Sequence, residues 1–445
     1  MSAREVALSL KLSLAKRETK RVYSELLHNE RLPRAEVDRL TDQRAIDIAA
    51  FAFDHTPFYR DLYTSAGISR ADLRDPEAFG SLPVIDRSMI QENEPLLRSS
   101  EATEANLRTH HTTGSTGQPL TTYCDERVPL APLAWRMNRW WGVAPSDDAA
   151  HIGRWDIPKR KKLAKRIAWL PSRVTLVSVG LLDQHAYGDM IAMLNQRRPK
   201  LIEGYHHVLV ALANHVHNEG VYFRPPVALG STSAPLTSEV RRFIESTLGA
   251  PVHDQYRCSE VPWMAGECGE RNGLHVFADM RKIEAVDGQR TGRPVAQGTA
   301  GELVVTDLTN RVFPLVRYWL GDRGSIREGV CPCGVTLPLM DSPDGRNIDT
   351  LKLPGGTMVA GGLLGLFDEV PSAARQFRLH QDADYSVCLS VVPGPDPRAR
   401  EQIDEVARRL RVRLEHRVPL RVELVDSMPY TGAKTKFVTS DVPVG

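Results

Sequence analysis

Between residues 174 and 253, short apolar runs suited to strands alternate with stretches of helical spacing, and this alternation limits the fold more than any other feature of the chain. Strands are expected near 174–179, 201–203, 227–229 and 251–253, and helices over 188–196 and 237–248. Strands alternating with helices predict an α/β layer structure with a parallel sheet. Upstream, residues 1 to about 108 read as mainly helical: 39–53 is rich in Ala, Ile and Leu at helical spacing, and Asp54-His55-Thr56-Pro57 breaks it. Downstream, 274–277, 301–306 and 325–327 read as a β-rich section with tight turns at Asp287-Gly288 and Gln297-Gly298. With 445 residues the chain is too long for one compact core.

The stretch 338–345, with Pro343 and Gly345, predicts a linker. Beyond it, a strand at 385–392, a Pro-rich turn at 393–397, a charged helix over 398–416 and a strand at 420–425 predict a small α+β domain. The expected organisation is a large multi-layer domain over 1–343, with a helical N-terminal extension to about 108, followed by a small mobile lid over 344–445.

Lys and Arg number 57 against 55 Asp and Glu, so the net charge of +2 gives no reason to expect a nucleic-acid partner. Lys159-Arg160-Lys161-Lys162, with Lys165 and Arg166, is a local exception just before the apolar Ile167-Ala168-Trp169-Leu170. It reads either as a solvated helix face or as a contact for an acidic carrier protein, a polyanion or an anionic membrane surface. Near the N-terminus, Lys11, Lys16, Arg17 and Glu18 interrupt any apolar run long enough for a signal peptide or a span, so a cytoplasmic protein without a membrane span is expected. In a reducing compartment, clustered members of the six cysteines read as metal ligands rather than disulfides.

His111-Thr112-Thr113-Gly114-Ser115-Thr116-Gly117-Gln118 interleaves hydroxyl residues with glycines. Such a loop can bring several backbone N–H groups and hydroxyl donors against a polyphosphate, because glycine leaves no Cβ in the way. Four further stretches follow in order: Gln255-Tyr256-Arg257-Cys258-Ser259-Glu260, Gly301-Glu302-Leu303-Val304-Val305-Thr306, Arg317-Tyr318-Trp319-Leu320-Gly321-Asp322, and Gly345-Arg346-Asn347-Ile348-Asp349. Met428-Pro429-Tyr430-Thr431-Gly432-Ala433-Lys434-Thr435-Lys436 closes the series. From about residue 50 to the C-terminus the combination resembles the adenylate-forming superfamily of acyl-CoA synthetases, above all its phenylacetate-CoA ligase branch.

The resemblance implies ATP and Mg²⁺ as cofactors and a role for each stretch. Thr112, Thr113, Gly114, Ser115, Thr116 and Gly117 would hold the β- and γ-phosphates. Glu260 would help hold Mg²⁺, with Gln255, Arg257 and Ser259 beside it, and Tyr256 would lie against the adenine face. Asp322 would accept hydrogen bonds from the ribose hydroxyls, and Arg346 would add a ribose or phosphate contact. Gly230-Ser231-Thr232-Ser233 resembles the family's adenine-edge turn, though a plain strand-to-helix turn has the same composition. Lys434 matches the terminal lysine that acts in adenylation, with Lys436 in the place of a second basic residue. Glu260, Thr113 and Lys434 are therefore the expected catalytic groups. The acyl pocket is expected to draw on Tyr205, His206 and Ser231, and on Trp140-Trp141 unless those are core residues. Glu302 reads equally as a surface acid.

Three positions depart from the family pattern: Gln118 where many relatives carry lysine, Ile348 where an acidic hinge residue is frequent, and Arg257 after Tyr256 in place of glycine. The expected reaction is activation of a carboxylic acid as its adenylate and transfer to coenzyme A. Transfer to an amine, a hydroxyl or a carrier-protein thiol, and a non-catalytic nucleotide-binding scaffold, stay open, and the resemblance leaves room for a homodimer. Cys331-Pro332-Cys333-Gly334, with Cys268 and His275 upstream, suits a closed structural Zn²⁺ site. Cys258 is a competing ligand, and reduced thiols without metal are the alternative. Cys124 and Cys388 read as packing residues.

Overall fold

The computed structural model describes residues 2–112, 120–153, 166–178, 184–288, 291–346, 351–355, 358–359, 363, 366–367, 369–370, 372–428 and 438–442. The chain divides into two compact units, one formed by residues 1–146 with 253–343 and the other by 147–252 with 344–445. One of the three cuts falls between Pro343 and Asp344.

The first unit opens with helices Ala3–Ala15, Arg17–Asn29, Arg34–His55 and Pro57–Ser65. Ser2 and Glu5 cap the first reciprocally, and Thr56 accepts the backbone N–H of Tyr59 at the start of the fourth, with Pro57 at its first position. Val37, Ala45, Ile48, Ala49, Tyr59 and Tyr63 bury their side chains in the same core as Val305, Phe313 and Val316 from the β-rich section. The helices are thus part of that section's interior. Asp279 ties them to it: Arg136 Nη1 lies 2.7 Å from its Oδ2 and Asn29 Nδ2 donates at 3.3 Å, while Arg44 donates to its carbonyl. Arg136 and Asp279 are both fully buried, so each charge depends on the other.

A hairpin of Leu107–Thr112 and Leu120–Asp125 follows, paired out to Thr112 opposite Leu120. Two antiparallel sheets complete the unit. One runs Arg281–Val286, Gly301–Asp307, Tyr318–Gly324; the other joins Val252–Tyr256, Ala265–Glu267, Leu274–Val276, Leu339–Met340 and Ile326–Arg327.

In the second unit, four parallel strands stand in the order Val174–Ser178, Ala149–Gly153, Leu201–Tyr205, Ala228–Thr232. Helices Gln184–Arg197, His206–Glu219 and Ser238–Leu248 bury Ile191, Leu212 and Ile244 against one face, where Ala150, Ile152, Ile202 and Leu229 meet them. This is the parallel α/β arrangement the alternation predicts. Thr237 caps the last helix through Val240 N–H, and Gly249 ends it at φ +69°.

The 344–445 part carries a separate core under a four-stranded sheet ordered Leu420–Leu424, Val387–Pro393, Ala374–Gln381, Val438–Ser440. The helix Ala399–Arg413 contributes Ile403, Val406, Ala407 and Leu410 to it. Among the described residues no helix is long and apolar enough to cross a membrane. Of the basic run, 159–162 and Lys165 lie outside the described residues, whereas Arg166, Ile167 and Leu170 are exposed.

Candidate active site

Tyr256 ends the strand Val252–Tyr256, and the chain then turns sharply through Arg257 to Val261. The Val261 N–H donates to Cys258 Sγ at 3.2 Å, and the Arg257 guanidinium lies over the Trp263 ring at 4.5 Å. Cys258 is thereby fixed as a wall of this turn, well separated in role from the other thiols. Asp322 sits on Tyr318–Gly324 directly after Gly321, whose φ of +74° suits glycine. The Tyr256 phenol donates to Asp322 Oδ2 at 2.7 Å, joining the second and fourth motif stretches within one unit. A carboxylate oxygen has two lone pairs, so this bond orients Asp322 without exhausting its capacity to accept.

Glu260 is buried, and Arg87 Nη1 lies 3.7 Å from its Oε1. Arg87 begins the helix Arg87–Leu97 just after its cap Asp86. No motif announces it, because the pairing comes from a helix far upstream. Glu302 accepts from Trp319 Nε1 at 3.0 Å and faces Arg323 at 3.9 Å, so it braces its own sheet rather than standing as a solvated acid.

In the second unit Tyr205 ends its strand and His206 opens the following helix, both half-buried. Ser231 lies in the parallel strand Ala228–Thr232; it is fully buried, and its Oγ has no hydrogen-bond partner. A buried hydroxyl left so costs about 1–3 kcal/mol, which a bound polar group would offset. Gln255 is buried on the strand preceding Tyr256, and Ser259 is half-buried in the turn. Thr112 and Arg346 are described as strand-end backbone only. Thr113, Gly114, Ser115, Thr116, Gly117 and Lys434 lie outside the described residues.

Trp140 and Trp141 have other work than an acyl pocket. Trp141 stacks on His253 with ring centroids 5.0 Å apart and donates to the Glu267 carbonyl at 2.7 Å, and Trp140 packs on His275 at 5.2 Å while donating to Glu30 at 3.0 Å. They flank the cluster of Cys268, His275, Cys331 and Cys333, whose ligand atoms all lie within 4.8 Å of one another. Cys268 Sγ and Cys331 Sγ are 3.6 Å apart, too far for a disulfide of about 2.05 Å. Cys333 Sγ is 3.3 Å from His275 Nε2, and His275 Nδ1 faces the Leu337 carbonyl at 3.5 Å. Burial pushes the Cys268 thiol up to about 12 and lowers His275 to about 4, so the fold holds the imidazole neutral.

No protein-family model matches the chain. It is 28% identical to a phenylacetate-coenzyme A ligase of Thermus thermophilus over 360 residues, 77% of this chain and 78% of that protein. It is 22% identical to Protein CapK of Staphylococcus aureus over 452 residues, 98% of this chain and 96% of that protein. Among solved structures, a 2-hydroxyisobutyryl-CoA ligase in the postadenylation state superposes with a TM-score of 0.74, covering 93% of this chain and 91% of that one at 21% identity, which shows a shared fold.

Proposed function

The chain is a relative of the phenylacetate-CoA ligases with the fold of the adenylate-forming superfamily, and on that premise we propose that it is an ATP-dependent acid–thiol ligase. It joins a carboxylic acid to AMP, releasing pyrophosphate, and passes the acyl group to coenzyme A. The hydrogen bond between Tyr256 and Asp322 carries this reading. Adenosine offers an aromatic face for a tyrosine and vicinal hydroxyls for a carboxylate, and here one bond fixes both groups.

In the first step a substrate carboxylate oxygen attacks the α-phosphorus, forming a C–O–P linkage and expelling pyrophosphate. Two anions must approach, so the groups that matter are those that neutralise charge. The backbone and hydroxyls of residues 112–117 take the β- and γ-phosphates, and Lys434 supplies the cation of the terminal motif. Glu260, buried and steadied by Arg87, is the carboxylate suited to Mg²⁺; when bound, the ion draws charge off the phosphates. Tyr205, His206 and Ser231 are assigned to the acid. In the second step the coenzyme A thiol attacks the acyl carbon, forming the thioester and releasing AMP.

Zn²⁺ is proposed for the thiol–imidazole cluster. A tetrahedral ion with Zn–S bonds of about 2.3 Å spaces its sulfurs about 3.8 Å apart, close to the 3.6 Å seen between Cys268 and Cys331. With Cys268, His275, Cys331 and Cys333 all committed, no coordination position is left for substrate, so the ion has a structural role.

ATP–pyrophosphate exchange across a library of carboxylic acids tests the function. At least one acid should stimulate exchange, and Asp322→Ala should abolish the stimulation. Tight ATP binding with no response to any acid would instead favour a nucleotide-binding scaffold.

A further inference from the structure

We infer that the small C-terminal sheet carries a second divalent-cation site, built from His380, Asp382 and Asp441 and selective for ions that accept an imidazole. His380 and Asp382 belong to the end of strand Ala374–Gln381 and the residue just past it, and Asp441 follows the strand Val438–Ser440 that pairs parallel with it. The register sets His380 opposite Thr439, whose Oγ1 lies 2.8 Å from His380 Nδ1. That contact turns the other ring nitrogen towards the carboxylates. Nε2 is 3.2 Å from Asp382 Oδ1 and 3.5 Å from Asp441 Oδ2, and all three ligand atoms lie within 4.8 Å of one another.

The Asp382 carboxylate is held by a side-chain bond, and Asp441 is placed through its backbone. Asp441 N–H donates to the Gln381 carbonyl at 2.8 Å, Asp382 N–H donates to Ser386 O at 2.9 Å, and Ser386 Oγ donates to Asp382 Oδ2 at 3.2 Å. Charge-assisted hydrogen bonds from an imidazolium run about 2.7–2.9 Å, and both contacts here are longer. Ligands about 2.1 Å from one ion stand about 3.0 Å apart at octahedral angles and about 3.4 Å at tetrahedral ones; the 3.2 Å contact falls in that range and the 3.5 Å contact just above it. An imidazole with two carboxylates favours Mn²⁺, Co²⁺, Ni²⁺ or Zn²⁺ over Ca²⁺ and Mg²⁺, and the partial exposure of all three residues lets water complete the sphere. An ion here would clamp the strand Val438–Ser440 to its neighbour. On the ligase reading above, that strand begins where the segment carrying Lys434 ends.

The test is Mn²⁺ titration of the full-length, zinc-loaded protein without nucleotide, following free Mn²⁺ by electron paramagnetic resonance. One bound ion is expected, displaced by Co²⁺ and unaffected by Cys333→Ser, because Mn²⁺ does not favour thiolates. His380→Ala and Asp441→Asn should each weaken binding more than about tenfold, and Thr439→Val by about tenfold, the usual cost of losing a group that orients a ligand. Asp441 is exposed, so its asparagine variant should fold, and a wild-type melting curve checks this. Binding absent at millimolar Mn²⁺ and Co²⁺, or undiminished in His380→Ala, would overturn the site in favour of an imidazolium clasp. Binding lost instead in Glu260→Gln would place the ion at the nucleotide residues, overturning this proposal while leaving the ligase reading intact.

Discussion

One hydrogen bond joins the phenol of Tyr256 to the carboxylate of Asp322, and on the proposed ligase reading the two act as one unit of nucleotide recognition that can be perturbed separately from binding in general. Tyr256→Phe keeps the ring and removes the bond; kcat/KM for ATP should fall by about tenfold, the worth of one hydrogen bond to a charged group. Lys434→Ala should slow acyl-adenylate formation by about 10²-fold or more while largely sparing consumption of a supplied acyl-adenylate, because a cation is needed where phosphate charge builds up. Single-turnover assays of the two half-reactions would measure this, and equal losses would mean the lysine is misassigned. The contact of Tyr256 with Asp322 joins two stretches the sequence singles out, because each residue sits in a short contiguous motif. Arg87 was not legible in this way: its role depends on the fold bringing a helix start beside Glu260. Trp140 and Trp141 were misleading for the converse reason, since an indole's composition says nothing about which cavity it fills.

At the level of elements, the thiol cluster draws on two distant stretches that the sheet Ala265–Glu267, Leu274–Val276, Leu339–Met340 brings together. Freshly purified protein should contain about one zinc per chain from this cluster, by the ligand count of a closed site. Cys331→Ser should lose most of it and melt at a lower temperature, with metal analysis and a thermal scan as the readouts. Prolonged chelation should reproduce both effects in the unaltered chain. The parallel strands and the helix Ser238–Leu248 could be read in advance, because Thr237 and Gly249 mark its two ends. The helix His206–Glu219 escaped notice: it is apolar over much of its length, Tyr205 gives it no side-chain cap, and only Gly220 at φ +60° signals its stop. The strand Ala374–Gln381 escaped notice because only Phe377 and Leu379 alternate with Arg378 and His380, and an irregularity between Ala374 and Gln376 breaks the period ahead of them.

For the molecule as a whole, a near-zero net charge coexists with buried charges that are individually expensive. Arg136, Arg281 and Arg317 are fully buried, and each has a carboxylate partner: Asp279 at 2.7 Å, Asp307 at 2.8 Å and Glu284 at 3.3 Å. Arg136→Ala should destabilise the protein by about 3–5 kcal/mol, as expected when one member of a buried pair is left alone, and urea unfolding would measure the shift. The helices that open the chain look from composition like an extension, yet Asn29 and Arg44 reach the same aspartate. A recombinant fragment trimmed to begin after residue 45 would retain every motif stretch and the Arg136 partner of Asp279, yet it would lose Asn29 and Arg44 and uncover apolar core that Val37 and Ala45 help to close. Shortening this protein from its front should therefore yield insoluble material rather than a minimal catalyst.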